Sequence, residues 1–276
     1  MSVVALGAVR SCGVTTLALA LAATWPSSRR VLLAELDPAG GTLAAASGWP
    51  PEPGLVSLAA AARRASDPEL VWEHCHELAN GTAVLAGPGS PDQARSALGM
   101  LTDLLPRLGE LVADVVVDCG RLAGTSPSPV LSGADQVVLA ARPRLADLHA
   151  LASFLETNPI LRQDPRLVLV GDGPYSDQEV ADALGIEVAA RLPWDPDAAA
   201  LLVSVRASAR ELRVAPLVRA ARTLADQLSG DKAGTDTLER AETPPGTRPR
   251  LRGMRAWRPE PSARSTNGSA PEEVSR

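Results

Sequence analysis

The sequence predicts an α/β fold, a mostly parallel sheet with helices on both faces, followed by a tail of different character. Three observations predict it. Aliphatic runs recur near residues 3–6, 31–36, 82–85, 115–117, 136–141, 167–170 and 187–192, and most are apolar throughout rather than alternating, as suits strands buried on both faces. Helical stretches alternate with them, which implies right-handed crossovers and one parallel layer. From Ser229 onward Pro, Gly, Ser, Thr and Arg replace the aliphatic pattern, a composition that does not support a packed core. The expected division is a single domain over 1–228 and a disordered tail over 229–276.

Val3–Leu6, closing on Gly7, reads as the first strand, and the Ala/Leu-rich segment from Thr15 to Ala23 reads as a helix without a breaker. The turn between them is Ala8, Val9, Arg10, Ser11, Cys12, Gly13, Val14, Thr15, placed where a phosphate loop of pattern GxxxxGK[ST] would lie. Gly13 and the hydroxyls of Thr15 and Thr16 fit that pattern, while Val14 stands at its lysine. Such a loop works through backbone NH groups and the positive end of a helix, and Thr15 offers a hydroxyl suited to Mg²⁺. The alternative is an ordinary strand-to-helix turn.

A turn at Trp25–Ser28 leads into the strand Val31–Leu36, which ends on Asp37, Pro38, Ala39, Gly40 and Gly41. A carboxylate at that place lies where parallel sheets bind ligands, either orienting a water or metal shell or serving as a turn or cap residue. Residues 42–81 read as Ala-rich helical pieces interrupted by a Pro-rich loop at 49–54. On a helix, His74, Cys75 and His76 would not share a face, and no metal site is expected there. Thr82–Leu85 reads as a short strand and Asp92–Leu104 as a helix.

Val115–Val117 closes on Asp118, an acid placed to reach Mg²⁺ through water. Pairing this strand with the first would bring Asp118 near Thr15. The strand Gln136–Ala141, a helix through Leu155 and the strand Leu167–Val170 follow, then a helix capped by Ser176 with Glu179 completing a capping box. The strand Glu187–Leu192 runs into Pro193, Trp194, Asp195 and Pro196. A last helix, Glu211–Leu228, collects Val214, Leu217, Val218, Ala221, Leu224, Ala225 and Leu228 on one side, read as a core-packing face rather than a membrane-surface helix.

The net charge of −5 divides into +2 over 231–276 and −7 over the rest, so the acidic body argues against broad nucleic-acid binding. In the tail Arg248, Arg250, Arg252, Arg255 and Arg258 surround Leu251, Met254 and Trp257. This patch is read as a solvated charged tail or as a contact for an anionic membrane surface, a nucleic acid or an acidic partner. Three widely spaced cysteines without a CxxC, and no run of 18 apolar residues, suit a cytoplasmic chain at most peripheral to a membrane.

Taken in order, AVRSCGVTTLALALA, RRVLLAELDPAGGTLA, ADVVVDCGRL, ADQVVLAARP and ARLPWDPDAAALL resemble the MinD/ParA family of deviant Walker A P-loop ATPases over about residues 1–228. The resemblance implies a single-domain P-loop NTPase-like fold, ATP and Mg²⁺ as cofactors, a nucleotide-dependent homodimer and an unidentified protein partner. It also implies a role in positioning cellular cargo: chromosome partitioning, division-site placement, or pilus or flagellar assembly. Carried over by residue, Arg10, Ser11, Cys12, Gly13, Val14, Thr15 and Thr16 form the phosphate loop, with Thr15 and Asp118 at the metal. Asp37 and Asp118 are the catalytic acids, and Pro193 and Asp195 flank the base.

The departures are Val9 and Val14, where the family has its two lysines, and Glu35, where it has the first of two aspartates. Losing both cations removes transition-state stabilisation worth several kcal/mol, so ATP hydrolysis is expected to be weak or absent while nucleotide binding persists, with Arg10 as a partial substitute. A non-catalytic scaffold recruiting protein partners is the competing expectation. Cys12, at a helix N-terminus and near Cys119 in such a fold, is also a candidate for redox control through a lowered thiol pKa.

Overall fold

A computed structural model describes residues 2–26, 30–64, 67–111, 113–123, 129–158, 165–204 and 209–230. In chain order these form β1 (Val3–Ala8), α1 (Val14–Thr24), β2 (Val31–Glu35), α2 (Leu43–Ser47), α3 (Leu55–Ala62), β3 (His76–Glu77), β4 (Ala83–Leu85), α4 (Pro91–Met100), β5 (Asp114–Arg121) and α5 (Pro129–Gly133). They continue with β6 (Gln136–Ala141), α6 (Leu145–Thr157), β7 (Arg166–Val170), α7 (Asp177–Leu184), β8 (Val188–Leu192), α8 (Pro196–Val203), α9 (Ala209–Val214) and α10 (Pro216–Gly230).

The strands make one sheet in the order β3-β4-β2-β5-β1-β6-β7-β8, parallel except for β3, which runs antiparallel to β4. The predicted α/β class is therefore observed. The fully apolar β1 sits at the centre with β5 and β6 on its flanks, so it is covered on both faces. One face carries α1, α8 and α10 over Val4, Leu6, Val116 and Val168, and the other carries α3, α4, α6 and α7 over Ala5, Leu32, Val117 and Leu169. At the N-terminal end of β5, Asp114 accepts from the Ser2 amide at 2.7 Å and from the Trp25 indole at 3.0 Å. These bonds fix the β1/β5 register that sets Leu6 opposite Asp118 at the other end.

Three local expectations are corrected. The 42–81 region is not helical throughout: His74 ends a 3₁₀ turn and His76 lies on the edge strand β3, where it stacks on Trp49 at 4.8 Å. The helix predicted over Asp92–Leu104 stops at Met100 and gives way to turns and a 3₁₀ segment at Leu105–Glu110. The last helix is two, α9 and α10, broken at Ala215, because Pro216 disfavours helical geometry in the residue before it; Val214, expected on the core-facing side, therefore ends α9 66% exposed. The capping box at Ser176 and Glu179 is present, and Ser176 Oγ accepts from the Glu179 amide at 3.3 Å. The arginine cluster of the tail with Trp257 lies outside the described residues.

Candidate functional site

The candidate residues of the domain lie toward the C-terminal ends of β1, β2, β5 and β8. Gly13 takes φ +89°, a left-handed turn that a side chain would strain, and its carbonyl accepts the first helical bond from Leu17 at 2.9 Å. The amides of α1's first turn are left without helical partners, as at any helix start. Val14 is buried on the α1 face of the sheet, and Val9 packs against the opposite core layer. The two positions that would carry lysines thus serve the core. Arg10 and Ser11 are exposed, while Cys12 is fully buried.

The acids converge from β2 and β5, whose register sets Glu35 opposite Asp118. Asp118 is fully buried; its Oδ1 accepts from the Gly120 amide at 2.8 Å, and Oδ2 has no hydrogen-bond partner among the described residues. Burial raises its pKa, the Thr15 hydroxyl and the Gly120 amide pull it down, and nearby Asp37 raises it. The structure therefore brings Asp118 to Thr15. Asp37 is half-buried, closes a turn by accepting from the Ala39 amide at 2.7 Å, and presses its carboxylate against Gly120. Gly120 has φ +61°, and a Cβ there would collide with the Asp37 side chain.

Glu35 does more than replace an aspartate. Its Oε1 accepts from the amides of Thr42 at 2.7 Å and Leu43 at 3.2 Å, and Oε2 accepts from Gly87 at 2.9 Å. Burial pushes its carboxyl up to about 7 despite these bonds, with Asp118 adding to the rise.

On the other side of the loop, Pro193 and Asp195 stand opposite Gly13 and Thr16 across a cavity of about 60 Å³. Asp195 caps α8 by accepting from the Ala198 amide at 3.0 Å. The cavity has room for a few waters and falls far below the roughly 300–1,000 Å³ of ordinary ligand pockets. Trp194 narrows it: 57% exposed, its ring reaches within 3.9 Å of where a Gly13 Cβ would stand.

The redox expectation for Cys12 is overturned. Burial pushes its thiol up to about 12, against the lowering effect of Arg142, so the thiolate is suppressed. Cys119 is also buried, and it belongs to the opposite core layer.

Two arginines beside the loop carry interactions that the sequence alone does not assign. Arg121, the last residue of β5, donates from Nη2 to Ser11 Oγ at 2.7 Å. Arg142, just past β6, lies 4.8 Å over the Trp194 ring. Their position directly after strand ends was a signal, but only the strand order places them on either flank of β1.

No family model matches the chain, and no curated relative was found. Solved structures do match it. A ParA family ATPase from Chlorobium tepidum TLS superposes with a TM-score of 0.65 at 16% identity, covering 81% of this chain and 97% of that one. The septum site-determining protein MinD from Pyrococcus horikoshii OT3, complexed with Mg-ADP, gives 0.67 at 15% identity over 84% and 97%. The MinC:MinD cell division protein complex of Aquifex aeolicus gives 0.60 at 14% over 87% and 99%. The likeness, spread over nearly the whole length of those proteins, shows that this chain has the α/β fold of the ParA and MinD ATPases.

Proposed function

We propose that the chain is a MinD/ParA-like nucleotide-binding switch that holds Mg²⁺ and ATP at the loop of residues 8–16, hydrolyses ATP weakly or not at all, and positions a cellular cargo as a nucleotide-dependent homodimer with a protein partner. The observation that carries this reading is the buried Asp118 Oδ2, an acceptor without a hydrogen-bond partner among the described residues, on a carboxylate near the Thr15 hydroxyl. A carboxylate oxygen in that situation costs free energy unless something compensates it, and a hard cation with oxygen ligands fits the donor set. Thr15 and Asp118 would hold Mg²⁺, directly or through water, and the metal would neutralise charge on phosphate oxygens. Gly13 and the first amides of α1 would bind phosphate through the backbone. Asp37, at the rim, is the acid available to orient a water.

A second reading, a pseudo-ATPase scaffold that recruits proteins, is favoured by the buried Val14, by Val9 packed half-buried against the core, and by the cavity of about 60 Å³. No helix among the described residues is long and apolar enough to cross a membrane, and a peripheral location, with the Arg248–Arg258 segment as the contact, belongs to either reading.

Thermal melts of the full chain and of Asp118→Asn with Mg²⁺ and increasing ATP separate the two. The switch predicts a saturable, Mg²⁺-dependent rise in the wild type, about 2.7 kcal/mol at 100 times Kd, and loss of the Mg²⁺ dependence in Asp118→Asn. It also predicts a shift toward dimer in the same samples. A flat wild-type response up to millimolar ATP selects the scaffold.

A further inference from the structure

The loop has lost the side chains that would reach a terminal phosphate along its own strand, since Val9 and Val14 are directed into the two core layers. Two guanidinium groups approach from the neighbouring strands instead. The sheet order β5-β1-β6 puts one on each flank of the loop. Arg121 ends β5 in register with Ala8, where the loop begins, and its hydrogen bond to Ser11 Oγ holds the guanidinium against the loop's outer arc. Arg142 follows β6, stacks on Trp194 above Gly13, and stands close enough to Cys12 for its charge to act on the thiol beneath the loop.

We propose that Arg121 and Arg142 are the phosphate-binding cations of this chain, gripping the terminal phosphates of a nucleoside triphosphate from both flanks in place of the missing lysines. The inference rests on the nucleotide reading above and adds the residues that make it selective for a polyphosphate. A guanidinium presents a planar fork that matches phosphate oxygens two at a time, and stacking on an aromatic ring leaves its in-plane donors available. A lysine delivers a point charge along its own strand. An arginine entering from the side spans the longer distance from an adjacent strand end, which fits Arg121 closing β5 and Arg142 following β6 rather than either lying in the loop.

The test is calorimetric binding of Mg·ATP and of AMP to the full-length wild type, Arg121→Ala, Arg121→Lys, Arg142→Ala and, as a control for net charge, Arg144→Ala. Arg144 is exposed and precedes α6. Each of Arg121→Ala and Arg142→Ala is expected to weaken ATP by roughly tenfold or more, as for a lost charge-assisted hydrogen bond, and AMP by much less. Arg121→Lys should recover part of the loss, and Arg144→Ala should match the wild type. Melting temperatures of the ligand-free variants identify any that fail to fold.

ATP binding that is normal in the wild type and unchanged in both alanine variants overturns the inference and leaves the nucleotide reading standing. Equal losses for ATP and AMP also overturn it, because the arginines would then serve the nucleoside end. Absence of ATP binding by the wild type overturns the inference and the reading together.

Discussion

The acids and the cations around this loop are built in different ways. Asp118 and Glu35 lie deep at the ends of adjacent central strands and are held by backbone amides, whereas Arg10 and Arg121 lie at the surface and Arg142 at its edge. A buried carboxylate is placed by strand register, so displacing it disturbs the sheet. A surface guanidinium is placed by its own flexible stem, so its point of origin can move from one strand to another at small structural cost. The difference teaches that the acidic half of the site is bound to the fold, while the cationic half is free to be rebuilt.

The comparison breaks most visibly at Gly120. Gly120→Ala places a side chain at φ +61° and drives it into the Asp37 carboxylate, combining backbone strain with overpacking, and is expected to cost about 4 kcal/mol. Urea unfolding measures this; a loss under about 1 kcal/mol would show that the Asp37 turn is free to move aside.

Glu35 sets the next effect. Its folded-state pKa is raised from 4.5 to about 7 by burial, so the native state binds more protons than the unfolded state between those values. Stability is then greatest below pH 4.5 as far as this group is concerned, and it is lost as pH rises toward and through 7, by about 3 kcal/mol. Asp118, raised in the same direction, adds to the slope. Glu35→Gln should flatten the profile across that window in metal-free buffer, and an unchanged slope would remove Glu35 as its source.

Trp194 gives the smallest effect and sharpens the contrast. Trp194→Ala removes the stacking under Arg142 from a site that is 57% exposed, so the melt should shift by about 1 kcal/mol or less. The same change clears the cavity beside Gly13, and nucleoside affinity should respond more than stability does.

Most of the sheet was legible because its strands are short aliphatic runs with no polar interruption, as at Val3–Leu6 and Leu167–Val170. The acids were legible because each follows or closes such a run. What escaped has tertiary causes. A two-residue strand at His76–Glu77 exists only through its pairing with β4, and no local pattern announces it. The helix break at Ala215 was signalled by Pro216, yet the apolar periodicity on either side masked it. Arg121 and Arg142 are ordinary surface residues until the strand order sets them on opposite flanks of β1. Burial of Cys12 raised its thiol pKa where the helix N-terminus led to an expected fall, because desolvation of a thiolate outweighs the lowering effects of Arg142 and a backbone hydrogen bond.

The three amides that meet at Glu35 have a mechanical consequence. The segment from Leu36 to Gly41, which carries Asp37, leaves β2 beside this carboxylate and returns to it at Thr42, while Gly87 ties the same group to the end of β4. The segment is a bight whose two ends and the end of β4 are tied to one carboxylate. Because the tie is a carboxyl whose pKa burial lifts to about 7, protonation would take the charge out of all three bonds at once.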